Sequence, residues 1–145
     1  PDVELAATDG ELSEDIKASL HVFDETLSQL QSQCATIEER LRKSSISASS
    51  FKEITTAVPV LNGDVDTLQA NVDGVTVGPD TRAHRKHLTE AVATLAERVQ
   101  QLPHLLKRKV DEASTAQKEE GNKMYKAGRF DSAIKYYSDA IEINR

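Results

Sequence analysis

Lys118 and Asn122 stand one helical turn apart near the end of the sequence, so an ammonium and an amide project from one face and can converge on a single anionic group. The plainer alternative makes Lys118 an ordinary solvated lysine. Upstream, residues 80–109 hold seven Lys or Arg (Arg82, Arg85, Lys86, Arg98, Lys107, Arg108, Lys109) against three acids (Asp80, Glu90, Glu97). Such a segment suits an acidic partner, or it is the solvated face of a helix. His84 and His87 lie three apart with Asp80 one further turn back, a spacing at which a metal can be held. No fourth ligand is near, and Arg85 and Lys86 repel a cation there, so neither metal nor cofactor is expected. His21 and His104 are isolated and read as surface residues. No Ser-His-Asp or Cys-His spacing occurs, and no glycine loop lies between a strand and a helix, so the sequence does not read as an enzyme.

Helices must position these groups. From Ile16 the apolar residues recur at Leu20, Phe23, Leu27, Leu30, Cys34, Ile37 and Leu41, alternating four and three, which lays one stripe along a first helix. Ser13 reads as its N-cap, Glu14 and Asp15 suit its first turn, and Arg40, Arg42 and Lys43 suit its last. The serine-rich residues 44–50 end it. Ile54, Val58, Leu61, Val65, Leu68, Val72 and Val75 repeat the alternation in a second helix, opened by Ser50 and Glu53 at capping-box spacing. Pro59 and Gly63 fall inside it, and an interior proline costs about 3 kcal/mol, so a kink or a late start near Val60 is expected.

Gly74, Gly78 and Pro79 then mark a turn, and Asp80 or Thr81 caps a third helix striped by Leu88, Val92, Leu95, Val99, Leu102 and Leu106. Short connectors fold three such stripes back on one another, giving an antiparallel up-down-up bundle over residues 13–102, behind a flexible N-terminus of residues 1–12. Pro103 fits a first helical turn or a bend, and residues 105–125 carry no breaker before Gly128. Residues 131–143 return as an antiparallel partner, so residues 103–145 read as a connecting helix and a hairpin. The expected fold is all-α: an antiparallel three-helix bundle with a C-terminal helical hairpin.

The composition agrees with this. Aromatics are only 4% of the 145 residues, Trp is absent and 29% are charged, the balance of long helices rather than sheets. A net charge of −6 gives no basic field to draw the chain onto nucleic acid or anionic lipid. One cysteine forms no internal disulfide, and no uncharged apolar run approaches the roughly 20 residues that span a bilayer. A soluble, cytoplasmic protein is expected, with neither nucleic acid nor membrane as partner. Beginning at Pro1 without Met and ending at Arg145 without a closing signal, the sequence reads as a piece of a longer protein.

Gly121, Gly128, Phe130, Ala133, Tyr137 and Ala140 stand at the spacing of the tetratricopeptide (TPR) signature, within the run Lys118-Glu-Glu-Gly-Asn-Lys-Met-Tyr-Lys-Ala-Gly-Arg-Phe. The hairpin resembles the first repeat of a TPR co-chaperone domain. Gly121 and Ala133 would let two helices approach closely, Gly128 would take the positive φ of a helix stop, and Phe130, Tyr137 and Ile141 would fill the seam. Gln117, Glu120 and Arg145 depart from the pattern, which suggests a first repeat with an exposed edge. One hairpin cannot bury both its faces, so further repeats or the bundle must cover it. Lys118 and Asn122 match the opening half of the family's carboxylate clamp, which implies binding of an acidic C-terminal Glu-Glu-Val-Asp tail of cytosolic heat-shock chaperones. Later repeats would supply the other clamp residues.

The stretch from Asn71 through Val-Asp-Gly-Val-Thr-Val-Gly-Pro-Asp-Thr-Arg-Ala-His-Arg-Lys-His-Leu, continuing to Leu102, resembles the end of helix 2 and the whole of helix 3 in BAG domains. That resemblance implies a three-helix bundle binding the ATPase domain of heat-shock protein 70 chaperones and promoting nucleotide release. By position, Asp73 and Arg85 match the family's polar contacts, with Arg82 and Lys86 on the same basic stretch. A bidentate arginine with a facing carboxylate would anchor a polar partner surface. Ala93 stands where a contacting glutamine is common and Gly63 where a glutamate is expected, which would weaken binding or abolish exchange.

Together the resemblances imply a monomeric co-chaperone adaptor for heat-shock protein 70 chaperones, with the heat-shock protein 90 tail as a further candidate and nucleotide exchange as its activity. The alternative is a structural scaffold whose heptads form an intermolecular coiled coil and whose repeats collect clients. An enzyme with its catalytic domain beyond Arg145 is a third class.

Overall fold

The computed structural model describes residues 2–145, with side chains described from Ser13 onward. The chain is all-helical, in the order α1 (Asp2–Arg42), α2 (Ala48–Asp73), α3 (Arg82–Lys126) and α4 (Phe130–Ile143), with no strand among the described residues. Helix α1 is 41 residues long, so Ser13 lies inside it and does not cap it. A lone Gly10 costs a helix only about 1 kcal/mol, too little to stop it.

The start of α2 also differs from the sequence reading. Ser47, not Ser50, is the cap: its Oγ accepts the Ser50 backbone N–H at 3.2 Å, and its carbonyl accepts that of Phe51 at 3.1 Å. No late start occurs, because α2 runs unbroken through Pro59. Pro59 and Thr55, whose carbonyl the proline leaves without its helical donor, are both exposed, so water can satisfy that group. Pro103 behaves likewise: it is exposed and interior to α3, which makes the expected third and connecting helices one helix of 45 residues. Of the two cap candidates before α3, Thr81 takes the position. Its carbonyl accepts the Arg85 N–H at 3.1 Å, while its hydroxyl folds back to the Gly78 N–H at 3.1 Å.

By compactness the chain divides into two units. The first comprises the residues up to Ala35 together with Val60–Gln100. Its core is aliphatic and comes from all three helical stretches: Leu20, Leu27, Leu30 and Cys34 from α1, Leu61, Val65, Leu68 and Val72 from α2, and Leu88, Val92, Leu95 and Val99 from α3 are all buried. Each such side chain contributes about 1.5–3 kcal/mol on burial. These are the residues of the heptad stripes, so the four-three alternation locates this core directly.

The second unit comprises Thr36–Pro59 and Gln101–Arg145. Ile37, Leu41, Phe51, Ile54, Val58 and Leu102 are buried in it, and Leu106, expected on the same stripe, is half-buried. The seam between α3 and α4 is made of small groups. Ser114 is buried and donates its hydroxyl to the Ala140 carbonyl at 3.2 Å, and Ala133 and Ala140 are buried beside it. Gly128 has φ +77° and ends α3 as expected. Phe130 and Ile141, however, do not fill the seam: they are 56% and 64% exposed, as are Ile134 at 63% and Tyr125 at 60%. At about 100° per residue, Ala133 and Ala140 fall to one side of Tyr137 while Phe130, Ile134 and Ile141 fall to the other, so α3 covers only half of α4's apolar arc.

Candidate functional site

Lys118 and Asn122 sit on α3 in the second unit, both exposed. The structure adds a third residue. Tyr137 of α4 donates its hydroxyl to Asn122 Oδ1 at 2.5 Å. With the oxygen engaged, the Asn122 amide nitrogen is left as a donor, one turn from the Lys118 ammonium, which forms no ion pair among the described residues. Tyr137 can reach because residue 121 is glycine: a Cβ there would lie 2.7 Å from Tyr137 Cε1. One cationic group and one oriented amide thus stand a turn apart on the same exposed face, both of them hydrogen-bond donors. Sequence reasoning placed Tyr137 as seam filler and missed its hydroxyl; the signal was Gly-Asn on one helix facing a tyrosine on the next.

Further back along α3, His104, Lys107, Arg108, Asp111, Thr115 and Glu119 line an open recess. Its charges are mixed, so it adds no strong field. On α4, Glu142 is bonded to Lys52 of α2, and that ammonium holds the Glu142 carboxyl below its ordinary value. This tie joins the two helices within the unit.

In the first unit, Asp73 is the exposed last residue of α2, while Arg82 and Lys86 are exposed one turn apart at the start of α3. Arg85 is half-buried and donates Nη1 to the Val75 carbonyl at 2.9 Å. Its guanidinium thus braces the turn after α2, and no ion pair joins it to Asp73 among the described residues. Ala93 and Gly63 are both exposed, and nothing lies within 4 Å of a Cβ built at Gly63, so neither position is sterically closed to a longer side chain.

Asp80, His84 and His87 are not brought together. Asp80 accepts the Ser13 hydroxyl at 2.6 Å and faces Lys17 at 3.6 Å. The Ser13 bond, seconded by Lys17, holds the Asp80 carboxyl below its usual range. His84 Nε2 instead meets Asp24 Oδ2 at 2.7 Å, with the His21 ring edge-on at 6.3 Å between centroids, and His87 is exposed. These contacts tie α1 to the start of α3 within the unit. Among the described residues no group of His, Cys, Asp or Glu is arranged to hold a metal ion, and no helix is long and apolar enough to cross a membrane. No family model, curated protein or solved structure matches this chain.

Proposed function

We propose that this chain is an adaptor of the molecular-chaperone system, combining a BAG-like three-helix bundle with the first TPR hairpin of a peptide-binding array. The observation that carries the reading is the Lys118–Asn122 pair with its amide oriented by Tyr137 across a glycine contact. Its natural ligand is the carboxylate of an acidic C-terminal tail of a heat-shock protein 70 or 90 chaperone, held by one charge-assisted bond and one amide bond. Binding of a peptide ending in Glu-Glu-Val-Asp tests it by titration calorimetry or fluorescence anisotropy. Affinity is expected to fall about tenfold in Lys118→Ala, as a charged hydrogen bond warrants, and to be lost with the C-terminally amidated peptide. Equal binding of the free and amidated peptides would remove the clamp from the proposal.

For the bundle, Asp73, Arg82, Arg85 and Lys86 are the surface offered to the chaperone ATPase domain. The ties from Ser13, Lys17 and Asp24 of α1 to Asp80 and His84 support α1 and α3 running side by side in the same direction, as an up-down-up bundle requires. The mechanism is differential binding: a partner that prefers the open ATPase lobe shifts that domain towards nucleotide release and does no chemistry itself. Nucleotide dissociation from the chaperone, followed with the chain and with Lys86→Ala and Arg85→Ala, is the test. Lys86 is the cleaner probe, because Arg85 also braces a turn. An unchanged rate with the unmodified chain would end the exchange reading.

The scaffold reading draws on the exposed Tyr125, Phe130, Ile134 and Ile141. The heptad stripes are largely buried within the single chain and need no second one, so we propose a monomer. Light scattering at micromolar concentration decides: a dimer would favour the scaffold.

A further inference from the structure

The connector between α1 and α2, residues 43–47, brings together irregular backbone, exposed hydroxyls and a cationic lead-in. Its serines are not equivalent. Ser47 is occupied as the cap of α2, Ser49 and Ser50 are inside that helix, and Ser44 lines a recess of about 250 Å³ with Lys43, Ile46, Phe51 and Lys109. Ser45 is exposed, lies outside both helices, and among the described residues its hydroxyl makes no hydrogen bond. Arg42 and Lys43, both exposed, precede it by three and two residues, and the apolar Ile46 follows.

A serine kinase whose substrate groove is lined with carboxylates selects cations at those two offsets, and it needs the acceptor in extended chain. We propose that Ser45 is a phosphorylation site for such a basophilic serine kinase, read through Arg42 and Lys43. In the transfer, a bond forms between Ser45 Oγ and the γ-phosphorus of ATP, and the bridging oxygen bond to that phosphorus breaks. ADP leaves with the electron pair, and the hydroxyl proton passes to a carboxylate of the kinase.

The fold limits how far upstream the kinase can read. Leu41 is fully buried, and Arg40 donates to Glu53 Oε2 at 2.8 Å, so α1 is pinned as far as Leu41. Beyond it Arg42 Nη1 meets Glu39 Oε2 at 3.2 Å in an exposed pair, and the backbone bond from Lys43 N–H to the Arg40 carbonyl is a long 3.4 Å; both can open without disturbing the core. Arg40, although a cation five residues before Ser45, stays in the helix and is not read. The first turn of α2 holds no acidic residue, so a phosphate at Ser45 meets no carboxylate there.

The whole chain is incubated with the catalytic subunit of cyclic-AMP-dependent kinase, magnesium and radiolabelled ATP, and the product is mapped by fragmentation mass spectrometry. One phosphate on Ser45 is expected, absent in Ser45→Ala. The initial rate should fall about tenfold or more in Arg42→Ala, the loss of one charge-assisted contact, and change less than about twofold in Arg40→Ala. Circular dichroism of both arginine variants separates a lost contact from lost helix. No incorporation, a phosphate placed on another serine, or equal losses in the Arg40 and Arg42 variants would overturn the proposal.

Discussion

The first unit and the α3–α4 hairpin of the second use apolar residues in opposite ways. In the first, Leu and Val at four-three spacing on three helical stretches are nearly all buried. In the hairpin, the buried positions are Ser114, Gly121, Ala133 and Ala140, while Phe130, Ile134 and Ile141 remain outside. Large side chains make a core that closes on itself. Small ones bring two helices close and leave the bulk free to meet something else.

The comparison is tested most sharply by truncation. Leu88→Ala, at a fully buried site, should lower unfolding free energy by about 2–5 kcal/mol in urea titration, whereas Ile134→Ala should change it by less than about 0.5 kcal/mol. A comparable loss in both would mean that the hairpin's outer face is not free.

Two glycines give the next contrast. Gly121→Ala pushes a methyl into the Tyr137 ring and should cost about 1–3 kcal/mol, with weaker carboxylate binding as Asn122 loses its orienting bond. Gly63→Ala meets open space on an exposed helix face and should stabilise by about 0.5–1 kcal/mol in thermal or urea melts. Tyr137→Phe isolates the hydroxyl: stability should hold to within about 1 kcal/mol while affinity for an acidic peptide drops a few-fold.

The smallest effect is acid dependence. Asp80 in the first unit and Glu142 in the second both titrate below their ordinary values of 3.8 and 4.5. A depressed folded value means stabilisation that is present above the unfolded value and lost as pH falls through the folded one. Lys52→Gln should therefore lower the urea midpoint slightly at about pH 6, with the difference shrinking as the pH falls below the unfolded carboxyl value, and Ser13→Ala should do the same through Asp80. Both carboxylates are exposed, so each shift in midpoint should be small.

The all-helical class, the stripes and the Gly128 stop were legible in the sequence because periodicity and positive-φ glycine are local properties. Helix ends were less so. Ser13 and Ser50 both carry cap chemistry, yet Ser50 lost the cap to Ser47, and α1 continued past Ser13, because a cap residue only biases where a helix starts. Pro59 did not delay the start of α2, nor did Pro103 begin a new helix, for a related reason. Interior proline is costly mainly through an unmatched carbonyl, and on an exposed face water meets that need, so α2 and α3 pass through Pro59 and Pro103.

What the sequence determined by itself was which residues are apolar at helical spacing and which cations stand a turn apart. Only the tertiary structure decided that α4's apolar arc is half covered, that Asn122 is aimed by Tyr137, and that Arg85 braces a turn while His84 turns to Asp24. Spacing along one helix follows from backbone geometry. The partner that each face meets depends on residues far away in the chain, and no local pattern records it.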